Sequence, residues 1–310
     1  MTLARCLLLL IALSLLLAAC SRVGLAYRNL DWLISWRLDD YLSLNREQKA
    51  WFKPRLQAHL AWHCSSELPR YVDWLQRSEA LLEQAPPSAT QLSERFAELD
   101  GALERISGEI TPTAIELLQS LNPRQVAELY AAMDEDNREA RQDFLEPPLA
   151  SQISRRATRM QQRLRPWLGR LNDAQQARIL AWAQTLGEQN RLWLGNRLRW
   201  QTEFRVVLDA RRSADFPARL TRLLQERDSV YTADYRAAYA RSRQALAELF
   251  SDLLQSADSN QRERLTARLR DLRDLRRELV QLACTPPSRV AAVASRQAPC
   301  RAARGTCCSG

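Results

Sequence analysis

The chain has 310 residues, with 45 basic against 36 acidic side chains and a formal charge of +9. Eight glycines and thirteen prolines are few for this length, and Ala, Leu, Arg, Gln and Glu, all strong helix formers, dominate, so a strand-rich fold is excluded. Acidic and basic residues alternate along the predicted helices, as from Arg268 to Asp274; this reads as a solvated, salt-bridged face rather than a nucleic-acid surface, and no basic block free of acids stands out.

At the N-terminus Arg5 precedes an apolar stretch from Cys6 to Ala19. That stretch is short for a membrane span and has the length of a signal-peptide core. It ends in Leu17-Ala18-Ala19-Cys20, which has the look of a bacterial lipobox. Residues 1–19 are therefore expected to be removed as a signal peptide. Cys20 then becomes a lipidated N-terminus, palmitate included, and the chain loses one positive charge. Ser21, rather than aspartate, follows the cysteine. This favours the outer membrane, facing the periplasm, over the inner one.

Residues 23–43 predict a helix rich in aromatics: Tyr27, Trp32, Trp36 and Tyr41. With Leu30, Leu33 and Leu38 beside them the rings read as core; the other reading places them at the membrane interface. A long helical stretch follows to about residue 83, with Pro54 and Pro69 expected to kink or break it. After Pro86-Pro87 a helix is expected from about 88 to 108. Thr111-Pro112 then opens a short one, with threonine as cap and proline in the first turn. Another helix runs from about 122 to 145. Pro147-Pro148 divides an N-terminal helical half (20–146) from a C-terminal one (147–284). The second half begins with helices at about 150–168 and from 172 onward. Residues 215–256 predict one or two more, and a last helix carries a seam of Leu265, Leu269, Leu272, Leu275, Leu279 and Leu282. Residues 285–310 change character to Ala, Ser, Arg, Pro and Cys without period and are expected to be disordered. A Cys64–Cys284 bridge is compatible with the periplasm but cannot be read from spacing. The fold expected is an all-α, elongated multi-helix bundle with two similar helical halves.

Three segments share Leu-Asn-x-x-Gln: Leu44 to Gln48, Leu121 to Gln125, and Leu171 to Gln175. A fourth, Ala257-Asp258-Ser259-Asn260-Gln261, keeps cap and glutamine but loses the leucine. In each, the side chain of Asn45, Asn122, Asn172 or Asp258 accepts from a first-turn N–H. The glutamine three residues on (Gln48, Gln125, Gln175 or Gln261) reaches back to the cap. These are helix starts and need no further function. The boxes resemble the Leu-Thr-x-x-Gln motifs of the Spy/CpxP group of helical periplasmic proteins. That resemblance implies chaperone, stress-signalling or metal-sensing roles. Two boxes before Pro147 and two after, at similar separations, suggest a tandem duplication. Tyr27-Arg28-Asn29-Leu30-Asp31-Trp32-Leu33, Asp39-Asp40-Tyr41, Trp62-His63 and Glu67-Leu68-Pro69-Arg70-Tyr71, in this order after the lipobox, are similar to a proteobacterial lipoprotein family of unknown function. This likeness extends to about Cys284 and implies an all-helical lipoprotein with no established activity.

The two histidines, His59 and His63, lie four apart, with Glu67 one turn further. On an unbroken helix the three share a face and would suit zinc or another divalent metal. The structural reading gives the imidazoles hydrogen bonds on a half-buried face instead. Asp31, Asp39 and Asp40 beside Arg28 and Arg37 read as salt-bridged surface. No serine elbow, phosphate loop or metalloprotease signature is present. The expectation is therefore no enzyme and no cofactor beyond the lipid. It is a binding, scaffolding or chaperone-like lipoprotein whose partners are the membrane and an envelope protein or unfolded chain, not nucleic acid. The alternative is a periplasmic metal sensor or buffer built on His59, His63 and Glu67.

Overall fold

The computed structural model describes residues 29–282, and among them every regular element is helical. The order is α1 (Leu30–Asp39), α2 (Arg46–Trp62), a π-helical turn (His63–Glu67), α3 (Leu68–Gln84), α4 (Ala89–Gln119), α5 (Pro123–Phe144), α6 (Leu149–Leu168), α7 (Asp173–Thr185), α8 (Gln189–Asp209), α9 (Phe216–Gln225), a 3-10 turn (Arg227–Val230), α10 (Ala233–Gln255) and α11 (Ser259–Leu282). The all-α class follows from the composition. Residues 1–28, with Cys20, and residues 283–310, with Cys284, lie outside the described residues. Cys64 is buried and disulfide-bonded.

The prolines act differently from the expectation. Pro54 sits inside α2 without ending it. Before Pro69, whose missing N–H and ring would disrupt an ordinary turn, the chain widens into the π turn, where Leu68 N–H bonds His63 O. The break expected at Thr111-Pro112 is absent: α4 runs unbroken through Pro112. Thr111 does not cap a new helix. Its hydroxyl donates back to the Ser107 carbonyl at 2.6 Å, and tertiary packing on both sides of α4 outweighs the local cost of the proline.

Packing also crosses the boundary drawn at Pro147-Pro148. One core joins Leu117, Leu121, Leu129 and Met133 to Phe204, Leu208, Phe216 and Leu220, so α8 and α9 complete the core begun by α4 and α5. A second core joins Met160, Leu164, Ile179, Trp182, Leu249 and Leu253 from α6, α7 and α10. α3 packs along α11 and α4 along α10. The α3–α11 seam is tied by Glu79, which accepts from Arg270 and from Arg273 at 2.6 Å each. The division by sequence is thus not a division into two packing units.

What does repeat is a junction. Asn45, Asn122 and Asn172 each close a capping box with the glutamine three residues on. Asp258 accepts from Gln261 N–H at 2.8 Å. The glutamines then meet in pairs. Gln48 and Gln125 exchange amide hydrogen bonds of 3.3 and 2.7 Å, and Gln175 and Gln261 exchange bonds of 2.8 and 3.0 Å. All four are buried. A buried amide is tolerated where its donors and acceptors are matched, as here. Each junction locks two helix N-termini together, α2 with α5 and α7 with α11.

Candidate functional site

α3, α4, α6, α10 and α11 leave an open cleft of about 790 Å³ between them. The amphipathic stripes of these helices face it: Leu75 and Leu82 from α3, Phe96, Leu99 and Leu103 from α4, Trp167 from α6, Phe250 from α10, and the Leu265, Leu269 and Leu272 seam from α11. Apart from Arg163 at its edge, several of its polar groups are turned inward on the protein. Trp74 Nε1 donates to the Arg95 carbonyl at 3.0 Å. Ser78 Oγ donates to the Trp74 carbonyl at 2.7 Å, and the Arg95 guanidinium pairs with Glu98 at 2.6 Å. The lining holds no carboxylate, histidine or cysteine. A surface of this kind can take up apolar matter. Leu99 and Leu103 are 39% and 50% exposed, so the cleft wall is open to solvent.

Next to the cleft, α6 borders a second hollow of about 740 Å³. Arg155, Arg156, Arg159 and Arg163 line it with Tyr235, Tyr239, Trp182 and one carboxylate, Asp143. Arg156 is 7% exposed. Its guanidinium donates to the Ala183 carbonyl at 2.8 Å, the Gly187 carbonyl at 3.2 Å and Asn190 Oδ1 at 3.3 Å. Gly187, at φ 46, makes the left-handed turn between α7 and α8 that presents its carbonyl there. Burial, and then the neighbouring Arg159 charge, push the Arg156 pKa below the usual arginine value. The Trp182 indole N–H is buried with no acceptor. This corrects the expectation about charge pattern. Residues 147–172 hold Arg155, Arg156, Arg159, Arg163, Arg165 and Arg170 with no acid among them, a basic block that the alternation elsewhere conceals.

The residues expected to hold a metal are not brought together. His59 bonds Glu109 through Nδ1 at 3.0 Å and Thr113 through Nε2 at 2.7 Å. His63 lies against Tyr71, ring centroids 5.6 Å apart. Glu67 is fully buried and grips Arg105 with both oxygens, at 2.8 and 2.9 Å. His59 and Glu67 both face α4, but each is taken up by its own partners there, His59 by Glu109 and Thr113 and Glu67 by Arg105, while the π turn shifts the helical register between them and His63 lies against Tyr71 instead. Among the described residues no group of three His, Cys, Asp or Glu is placed to hold a metal. Replacing both histidines by alanine is expected to leave zinc binding unchanged in calorimetry.

α1 also departs from the core reading. Trp32 and Trp36 are 64% and 52% exposed and stack on each other with centroids 6.1 Å apart. Leu38 and Tyr41 do pack on the first core. Asp40 pairs with Arg37 and Asp39 with Lys49 on the surface. Among the described residues no helix is long and apolar enough to cross a membrane.

The model of a family of unknown function, DUF6279, matches residues 40–236, well over half of the chain. The match takes in α2 to α9 with the three Leu-Asn-x-x-Gln boxes and leaves out Leu17–Cys20, the Tyr27–Leu33 motif and α11; a family of unknown function bears on neither a lipid anchor nor the Spy/CpxP likeness. No curated protein and no solved structure matches the chain. The matched segment includes the first core, the cleft walls α3, α4 and α6, and all four arginines of the second hollow, and on that match the chain belongs to DUF6279.

Proposed function

We propose that the protein is a non-enzymatic, chaperone-like binding lipoprotein of the bacterial envelope, which holds apolar ligands or client segments in the cleft between α3, α4, α6, α10 and α11. The observation that carries this reading is the cleft itself: it is open, of ligand-binding volume, and lined mainly by leucine and aromatic side chains, with Trp74 and Ser78 bonded to backbone carbonyls. Anchoring through Cys20 on the periplasmic side of the outer membrane fits the exposed Trp32–Trp36 stack, since tryptophan favours the membrane interface. The short stretch between Cys20 and α1 keeps that stack near the bilayer. Neither the membrane nor an unfolded client requires the carboxylates or imidazoles that the cleft lining lacks.

The test uses two readouts. Binding of the neutral dye N-phenyl-1-naphthylamine reports the cleft, and light scattering by a chemically denatured client reports chaperone action. Equimolar protein is expected to enhance dye fluorescence and to suppress aggregation. Leu99→Glu with Leu103→Glu, at positions already exposed, is expected to remove both effects without changing the helical content. No dye binding and no suppression by the unaltered protein would overturn the proposal.

A further inference from the structure

The cleft and the arginine-lined hollow are not independent features. Met160 and Arg163 border both, so the two meet along one face of α6. One side of that meeting line is apolar and the other is cationic. Resting on the cleft reading above, we propose that the ligand is an anionic amphiphile: an acyl chain in the cleft and a phosphate or carboxylate head among Arg155, Arg159 and Arg163.

Charge complementarity selects this occupant. Several arginines elsewhere in the fold are paired, for example Arg105 with Glu67, Arg178 with Asp252 and Arg243 with Asp100. Among the described residues Arg155, Arg159 and Arg163 form no ion pair, and Asp143 is the single carboxylate beside them. Arg156 adds a buried charge neutralised only by carbonyl and amide dipoles, using three of its five donors. A cationic centre held this way lowers the cost of bringing an anion out of water. Guanidinium groups also match the geometry of phosphate and carboxylate oxygens. A neutral apolar client would use the cleft and leave this charge unanswered. A soluble anion would use the hollow and leave the cleft empty. An amphiphile satisfies both with one molecule, and an envelope is where such molecules are abundant.

The experiment is displacement of N-phenyl-1-naphthylamine from the full-length protein by dodecyl phosphate and by dodecyl maltoside, each below its micelle concentration. Inorganic phosphate provides a third arm. Dodecyl phosphate is expected to compete at least tenfold more strongly than the maltoside, with the margin shrinking as salt is added. Arg155→Ala with Arg159→Ala, neither of which lines the cleft, is expected to bring the two within about threefold while leaving the dye affinity unchanged. Equal competition by both amphiphiles in the unaltered protein overturns the proposal, as does a preference that survives the double substitution. Inorganic phosphate binding as tightly as dodecyl phosphate overturns it too, since the hollow is then a separate anion site. Competition seen only after deletion of residues 285–310 makes the chain's own tail the occupant and equally rejects it. Dye binding without anion preference sinks this inference alone, whereas absence of dye binding sinks the cleft reading with it.

Discussion

Arg105→Met is expected to destabilise the fold by about 2–3 kcal/mol, less than the loss for a fully buried ion pair because the Arg105 side chain is 38% exposed. The Glu67 side chain is 1% exposed and takes both its short bonds from Arg105. Its other cationic neighbour, Arg70, stands at 3.6 Å and is itself largely solvated. Without Arg105 the carboxylate stays desolvated with little to stabilise its charge. Glu67→Leu combined with Arg105→Met removes the orphan, and the double variant is expected to recover most of the loss, because a buried pair replaced by apolar groups of similar size is often neutral or better. Urea denaturation of the two single variants and the double one checks this; a double variant as unstable as the sum of the singles contradicts it. The pair matters beyond stability. It ties the π turn to the middle of α4 and so sets α3 against α4, the two helices that form one wall of the cleft. Arg105→Met is therefore also expected to weaken dye binding, and the double variant to restore it.

Local features were legible in the sequence and distant ones were not, for a physical reason. Asn45 and Gln48, or Asn172 and Gln175, lie three residues apart, and their hydrogen bonds follow from helix geometry once the helix start is located. That Gln48 then meets Gln125, and Gln175 meets Gln261, depends on how helices some eighty residues apart pack, which no local rule specifies. The break assigned to Thr111-Pro112 failed in the other direction: a locally sound stop signal was overridden by packing along the whole of α4. The His59, His63 and Glu67 cluster assumed an unbroken helix without tertiary partners, whereas a π turn interrupts it and Glu109, Thr113 and Arg105 of α4 occupy His59 and Glu67. The cleft itself was written in Leu265, Leu269 and Leu272, but a seam facing an open groove has the same spacing as one facing a closed core. The acid-free run of arginines in α6 was there to be read. It was masked by judging charge over the whole chain instead of helix by helix.

Gln175→Ala is expected to cost about 2–4 kcal/mol, well above the ~1 kcal/mol of an ordinary helix cap. The Gln175 side chain does several things at once. Its Oε1 accepts from the Asn172 N–H at 3.1 Å and from Gln261 Nε2 at 3.0 Å, while its Nε2 donates to Gln261 Oε1 at 2.8 Å. Truncation orphans the Asn172 amide and strips the buried Gln261 amide of one donor and one acceptor. Gln91→Ala supplies the internal comparison, because Ser88 and Gln91 form the same capping box on the surface with no glutamine opposite. It should cost only the cap, about 1 kcal/mol. The excess of the first substitution over the second measures the cross-junction contact. The cycle through Gln261→Ala and the double variant should give a coupling of about 1–2 kcal/mol, because once one amide is gone the other has less to lose. Equal losses for Gln91→Ala and Gln175→Ala, with additive behaviour at Gln261, would reduce the junction to two independent caps. The same cycle on Gln48 and Gln125 should return a similar coupling, since that pair repeats the geometry where α2 and α5 meet.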